Sequence, residues 1–252
     1  MALRNIKLTI SYDGSAFHGW QIQPAHQTIQ GALSHAIERV TGEKIIPQGS
    51  GRTDAGVHAL AQVASFRSSS SIPSGNLQKA LNSMLPESIR VLRVEEVGED
   101  FHARRSAKAK TYEYRIYRGE ILPPFLVDYV SHNPYPLEVG AMSGAAALVV
   151  GEHDFTSFAA VDPEKGLEDS ARSNVRTVFV SKWEERGEEW VYTIRGNGFL
   201  HHMVRNLVGT FLLVGKGSLQ TADIARILAE RNRTAAGPTA PAEGLYLVSV
   251  EY

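Results

Sequence analysis

Cysteine is absent from the 252-residue chain, which excludes disulfide staples, thiolate metal sites and cysteine nucleophiles at once. Long apolar runs are missing too. The stretches from Gly144 to Gly151 and from Phe211 to Gly215 fall far short of the roughly 20 residues a helix needs to cross a bilayer, so no membrane span is expected. Asn5 to Tyr12 alternates polar and apolar residues where a secretion signal would be continuously apolar, and a cytoplasmic location is expected. Net charge is scarce, at −1; on that average alone, a polyanion is not the obvious partner. What remains is ordinary for a folded chain: 43% hydrophobic and 21% charged residues, enough to build a core.

The average conceals an uneven distribution. From Trp190 to Ala222 there is no Asp or Glu, while Arg195, Arg205 and Lys216 are present. From Phe101 to Arg118, Arg104, Arg105, Lys108, Lys110, Arg115 and Arg118 face a single acid, Glu113. A charge run is commonly a solvated face. Two long basic stretches, one rich in tyrosine, point instead to a surface that binds phosphates.

Periodicity predicts an α+β chain. Asn5 to Tyr12 has strand period, with Ile6, Leu8, Ile10 and Tyr12 on one face. Thr28 caps a predicted helix through Ile29, Leu33, Ile37 and Val40 that stops at Gly42. Predicted strands at Lys44 to Gln48 and Ala59 to Phe66 flank a glycine-rich turn. A helix from about Ser74 to Pro86 and a strand from Ile89 to Val97 follow. The second half begins again with a strand, Thr111 to Arg118, with Tyr112, Tyr114 and Ile116 on one face. A helix is expected at Leu137 to Val150, a hairpin at Asn174 to Glu184 and Glu189 to Arg195, helices at Leu200 to Val214 and Thr221 to Arg231, and a final strand at Leu245 to Glu251. The repeated element order suggests two similar halves, residues 1–105 and 106–252, of RRM-like or ferredoxin-like type. Their helices would pack on antiparallel sheets around a central cleft.

Gly49 to His58 is the stretch that carries chemistry. Three of its residues, Gly49, Gly51 and Gly56, permit turns and close approach that other residues block. Asp54 sits at its centre with Arg52 two positions away, and a nearby arginine favours the charged form that a nucleophile or base requires. Two other readings stand beside this one. Asp54 could tie the loop together as an Asx turn, or it could ligate a metal together with His58.

The run Gly51-Arg52-Thr53-Asp54-Ala55-Gly56-Val57-His58-Ala59 resembles the catalytic motif of the TruA family of pseudouridine synthases. Further segments resemble the same family in the same order: Tyr12-Asp13-Gly14 with Phe17 to Gln21, Phe101 to Arg104, Lys110 to Tyr114, Gly151 to Phe155, Gly198 to Asn206, and Ala242 to Leu247. They span nearly the whole chain.

The resemblance implies an isomerase that converts uridine to pseudouridine in the anticodon stem-loop of tRNA. It implies a homodimer and neither cofactor nor metal. Asp54 would be the catalytic carboxylate, acting either at C1′ or on the 2′ proton. Tyr112 would stack on the target base, Arg205 would pair with Asp54, Arg52 would help hold the extruded nucleotide, and Leu245 would form an apolar wall. Arg104, Arg105, Lys108 and Lys110 would contact the RNA backbone. The competing readings are a non-catalytic protein of two RNA-binding modules and a metal-dependent hydrolase built on Asp54, His58 and His153 or Asp154.

Overall fold

Strand β1 (Arg4–Tyr12) buries every second residue in its second half, and Ile6, Leu8 and Ile10 are fully inside. The computed structural model describes residues 3–161 and 173–252. Within them the chain divides into two compact units, Met1–Lys110 with Tyr246–Tyr252, and Thr111–Leu245.

In the first unit, β1 lies antiparallel between β3 (His58–Ser68) and β4 (Ile89–Val97), and a two-residue strand, β2 (Gln48–Gly49), pairs with β3. Helix α1 (Ile29–Thr41) starts where the sequence predicts: the Thr28 side chain accepts the Gly31 N–H at 3.2 Å, and the helix closes at Gly42. It packs against α2 (Ser74–Met84), and Leu33 and Ile37 of the one and Leu77 and Leu81 of the other are buried. The predicted strand at Lys44 to Gln48 is shorter than periodicity suggests. Residues 44–47 are irregular, and Pro47 has no N–H to give a ladder. The last strand of the chain, β10 (Leu245–Glu251), runs parallel to β3, with Tyr246 opposite His58 and Leu247 opposite Ala59.

In the second unit, β5 (Ala109–Tyr117), β9 (Glu189–Gly196), β8 (Val175–Arg186) and β7 (Gly151–Asp154) follow one another across a sheet. The short β6 (Ser131–His132) lies parallel to β5. The predicted hairpin is β8–β9, in which Arg186 faces Glu189 across the turn. Helices α3 (Val139–Ala147), α4 (Met203–Gly215) and α5 (Asp223–Glu230) complete the unit. Phe211 of α4 packs edge-on against Trp183 and Tyr192, with ring centroids 6.5 and 5.3 Å away. Two predicted elements are trimmed. The helix expected at Leu137 to Val150 ends at Ala147, and residues 151–154 become β7 along the edge of β8. The helix expected from Leu200 begins at Met203, because His202 is left-handed at φ 57°. No described helix is long and apolar enough to cross a membrane.

The end of α1 is fastened to the end of β3 by one carboxylate. Glu43 accepts hydrogen bonds from the hydroxyls of Ser68 and Ser69 and from the Ser69 N–H at 2.9 Å. These bonds, the Ser68 hydroxyl first, hold its carboxyl below the usual carboxylate range. A carboxylate with a depressed folded pKa stabilises fully above its unfolded value and loses that contribution as pH falls through the folded one. Glu43→Gln is therefore expected to lower the melting temperature by a few degrees at neutral pH, with the gap closing as pH falls through the folded-state pKa of Glu43. A gap that stayed constant or widened in acid would contradict this account.

Candidate active site

The Asp54 loop joins β2 to β3, and little in its own glycine-rich sequence would hold it still. Its frame is a buried carboxamide. Gln62 of β3 is fully buried and uses all of its hydrogen-bonding capacity on the loop's surroundings. Its Oε1 accepts from the Ser50 hydroxyl at 2.6 Å and the Val63 N–H at 3.1 Å, while its Nε2 donates to the Gly51 carbonyl at 3.0 Å and to the Tyr12 hydroxyl at 3.4 Å. The Tyr12 hydroxyl lies 2.8 Å from that of Thr53, the residue before Asp54. Burial pushes the Tyr12 phenol up to about 12, against the opposing effect of its bonds to Thr53 and Gln62, so it stays protonated across physiological pH.

The segment after β1 forms the other side of the frame. Trp20 donates its N–H to the Thr53 carbonyl at 3.0 Å, Gly56 donates to the Phe17 carbonyl at 3.3 Å, and Val57 closes the turn onto the Asp54 carbonyl at 3.2 Å. The approach is close enough to require glycine. A Cβ on Gly14 would sit 2.0 Å from the Val57 carbonyl oxygen, and one on Gly19, at φ 83°, would sit 2.6 Å from that of Thr53. Arg52 is exposed, with Nε 3.3 Å from the Gln21 side chain, and Asp54 is half-buried. The separate motifs Tyr12 to Gly14, Phe17 to Gln21 and Gly51 to Ala59 are thus one packed assembly.

The second unit carries Tyr112, Arg205 and Leu245. Tyr112 is buried on β5, its ring edge-on to Phe199 at 5.1 Å and 83°. Arg205, on the first turn of α4, donates from Nε to the Ala240 carbonyl at 2.7 Å, and Ala240 donates back to the Arg205 carbonyl at 3.1 Å. The following residues are tied to β5: the Tyr114 hydroxyl donates to the Pro241 carbonyl at 2.9 Å and the Arg115 N–H to that of Gly244 at 2.8 Å. Leu245 follows directly and is buried. Residues 240–245 therefore link three expected substrate contacts, and burial raises the Tyr114 phenol well above its ordinary value.

A family model described as tRNA pseudouridine synthase matches residues 8–104 and 145–252. The chain belongs to the tRNA pseudouridine synthase family. Among its relatives, the tRNA pseudouridine synthase A of Solibacter usitatus is 49% identical over 99% of this chain and 100% of its own. Those of Caldicellulosiruptor bescii and Brevibacillus brevis are each 45% identical, with the same coverage. A solved Cbf5–Nop10–Gar1 complex aligns with 82% of this chain and 53% of its own at 11% identity and a TM-score of 0.31, a likeness too slight to bear on the argument.

In this pseudouridine synthase family member the basic stretch from Phe101 to Arg118 is not uniformly available. Arg115 is engaged through two 2.7 Å bonds to Glu189, and Arg118 donates to Glu185 at 2.6 Å. Lys110 turns its ammonium onto the Ser50 carbonyl at 2.6 Å, bracing the Asp54 loop. Arg104, Arg105 and Lys108 are the exposed cations of the stretch. The residues that the sequence offers as metal ligands with Asp54 have partners of their own. His58 Nδ1 accepts the Gly14 N–H at 3.1 Å and its ring stacks on Tyr246 at 4.7 Å. His153 Nε2 lies 3.0 Å from the Val150 carbonyl, and Asp154 accepts from Thr156 and pairs with Arg231 at 3.1 Å.

Sequence reasoning missed Gln62 and the role of the Tyr12 hydroxyl. The available signal was a polar residue inside a strand that otherwise reads apolar. Tyr12→Phe leaves the Thr53 hydroxyl and one Gln62 N–H without their buried partner. It should cost about 1–3 kcal/mol in denaturant unfolding, the penalty for an unsatisfied buried polar group. Unchanged stability would show that the hydroxyl does not hold the loop.

Proposed function

We propose that this chain isomerises uridine to pseudouridine at adjacent positions of the tRNA anticodon stem-loop, without a cofactor, and that Asp54 carries the chemistry. The observation that supports this most is the placement of Asp54 on a loop braced on both sides by the other motifs of the family, in a chain matched end to end by the synthase relatives.

The reaction breaks the C1′–N1 glycosidic bond, turns the uracil, and forms a bond from C1′ to C5. The C5 proton leaves and N1 gains one, so the net change is an isomerisation. Asp54 starts it, by attack at C1′ or by removal of the 2′ proton; either route needs one fixed carboxylate oxygen, and a rigid loop provides it. A base in a stem must first be unstacked, at a cost of a few kcal/mol. Phosphate contacts from Arg104, Arg105 and Lys108 offset that cost, Arg52 holds the extruded nucleotide, and Tyr112 and Leu245 supply the ring and apolar wall for the uracil. Arg205 carries the positive charge that pairs with the site carboxylate. Lys110, placed on the sequence among the backbone contacts, serves the loop as well. The family resemblance supports a homodimer working in the cytoplasm.

Purified protein incubated with an unmodified tRNA transcript, with no added metal or nucleotide, should form pseudouridine. Asp54→Asn keeps the shape and removes the reactive oxygen, so turnover should fall by at least about three orders of magnitude while tRNA affinity and melting temperature hold. An asparagine variant active within a few-fold of the parent would return Asp54 to a turn-forming role.

The exposed cations set a second expectation. Affinity for tRNA should fall steeply with salt. Replacing Arg104 and Arg105 by Ala should make the log–log slope shallower by roughly 1.4 to 1.8, the effect of losing two phosphate contacts. An unchanged slope would remove both residues from the RNA surface.

A further inference from the structure

A second concave site lies within the first unit, beyond the start of the Asp54 loop. It is a groove of about 380 Å³ between β2, β3 and the residues that follow β4, lined among others by Ile45, Ile46, Glu99, Asp100, His102 and Arg105. That is within the roughly 300–1,000 Å³ of small-molecule sites. Ser65 to Arg67 of β3 form its floor, seven residues beyond His58, where the Asp54 loop ends. At about 3.3 Å per residue Ser65 lies roughly 23 Å along β3 from His58, while Gln48, just before the Asp54 loop, pairs with Ser65 and lines the groove.

The groove's polar groups have a definite polarity. His102 Nδ1 accepts the backbone N–H groups of Arg104 and Arg105 at 3.1 and 3.4 Å. The ring is therefore the tautomer whose Nε2 carries the proton, a hydrogen-bond donor. Among the described residues, no hydrogen bond or ion pair engages the guanidinium of Arg105 or the carboxylates of Glu99 and Asp100. The Glu99 backbone is held by Arg67, which donates to its carbonyl at 3.2 Å. Ile45 and Ile46 supply an apolar side, and Ile46 is 58% exposed. A cation, a neutral donor, two carboxylates and an apolar wall in one groove match a ligand with an anionic end, a flat apolar body and amino hydrogens.

We infer that this groove receives a second, unpaired nucleotide of the RNA substrate, one whose base carries an exocyclic amino group. Its phosphate lies on Arg105, its base against Ile45 and Ile46, and its amino group donates to Glu99 or Asp100. Adenine, cytosine and guanine carry that group and uracil does not. Two fixed points, Asp54 and the groove, would set the register in which the RNA presents its target uridine. The inference rests on the proposal that tRNA is the substrate.

The test turns on a sign. The double variant Glu99→Gln, Asp100→Asn removes two negative charges beside a basic stretch, so an RNA that touches the surface only through its phosphates should bind the variant more tightly. If the carboxylates accept from a base, affinity for an unmodified tRNA transcript should fall instead, by about tenfold, on the scale of one lost base-edge contact. Affinity for a hairpin too short to reach from Asp54 to the groove should not fall. Ile46→Trp, which fills the groove without changing its charge, should give the same loss on the transcript. Transcript affinity at or above the parent's in either variant overturns the proposal, as does an equal loss on the short hairpin. Failure of the parent protein to form pseudouridine in the transcript would instead overturn the functional reading beneath it.

Discussion

A glycine-rich loop packed closely against its neighbours is caught between two demands. It needs glycine so that backbone segments can come close, and glycine gives it many conformations to lose on ordering. In this chain the conflict is resolved by hydrogen bonds from outside the loop. Gln62 satisfies Ser50 and Gly51 on one side and the Tyr12 hydroxyl on the other, and Tyr12 passes the constraint to Thr53, next to Asp54. Because Gln62 is fully buried with every donor and acceptor used, moving the loop would strand polar groups away from water. The placement of Trp20, the closeness of Gly14 and Gly19, and the turn of Lys110 onto Ser50 all follow from packing against that frame.

Charge is redistributed by folding in a way that linear counting does not show. The sequence from Phe101 to Arg118 carries a large formal excess of positive charge, yet Arg115 and Arg118 meet the acids of the β8–β9 turn. Glu113, the one acid in the stretch, is itself matched by Arg186 at 2.9 Å. These pairs join strands within the second unit. Arg104, Arg105 and Lys108, in the connection that leads into β5, are the exposed cations of the stretch. A basic run thus divides into a structural part and an exposed part, and the exposed part is the one suited to phosphate.

Much of this protein was legible from the residues alone, where the signal is local. Strand period in β1, the Thr28 cap and Gly42 stop of α1, the hairpin around Gly187 and the final strand from Leu245 to Glu251 are set by side-chain alternation and capping chemistry. The loop that carries Asp54 was legible for the same reason, since glycine spacing and a recognisable motif lie in consecutive positions. Local signals also misled at the ends of elements. The strand expected from Lys44 to Gln48 shrank to two residues, and the helix expected from Leu137 to Val150 was trimmed to Val139–Ala147.

Tertiary structure alone decided what depends on pairing between distant residues. That β10 returns to lie parallel to β3, that Gln62 and Tyr12 meet 50 positions apart, and that Arg115 is answered by Glu189 are outcomes of packing. The sequence by itself determined the α+β character and the family, and it singled out Asp54 as the candidate carboxylate, because each is written in short contiguous patterns. It did not determine which polar residues brace that carboxylate or which cations stay exposed, because a hydrogen bond or ion pair depends on separation in space, and only the folded chain sets that distance.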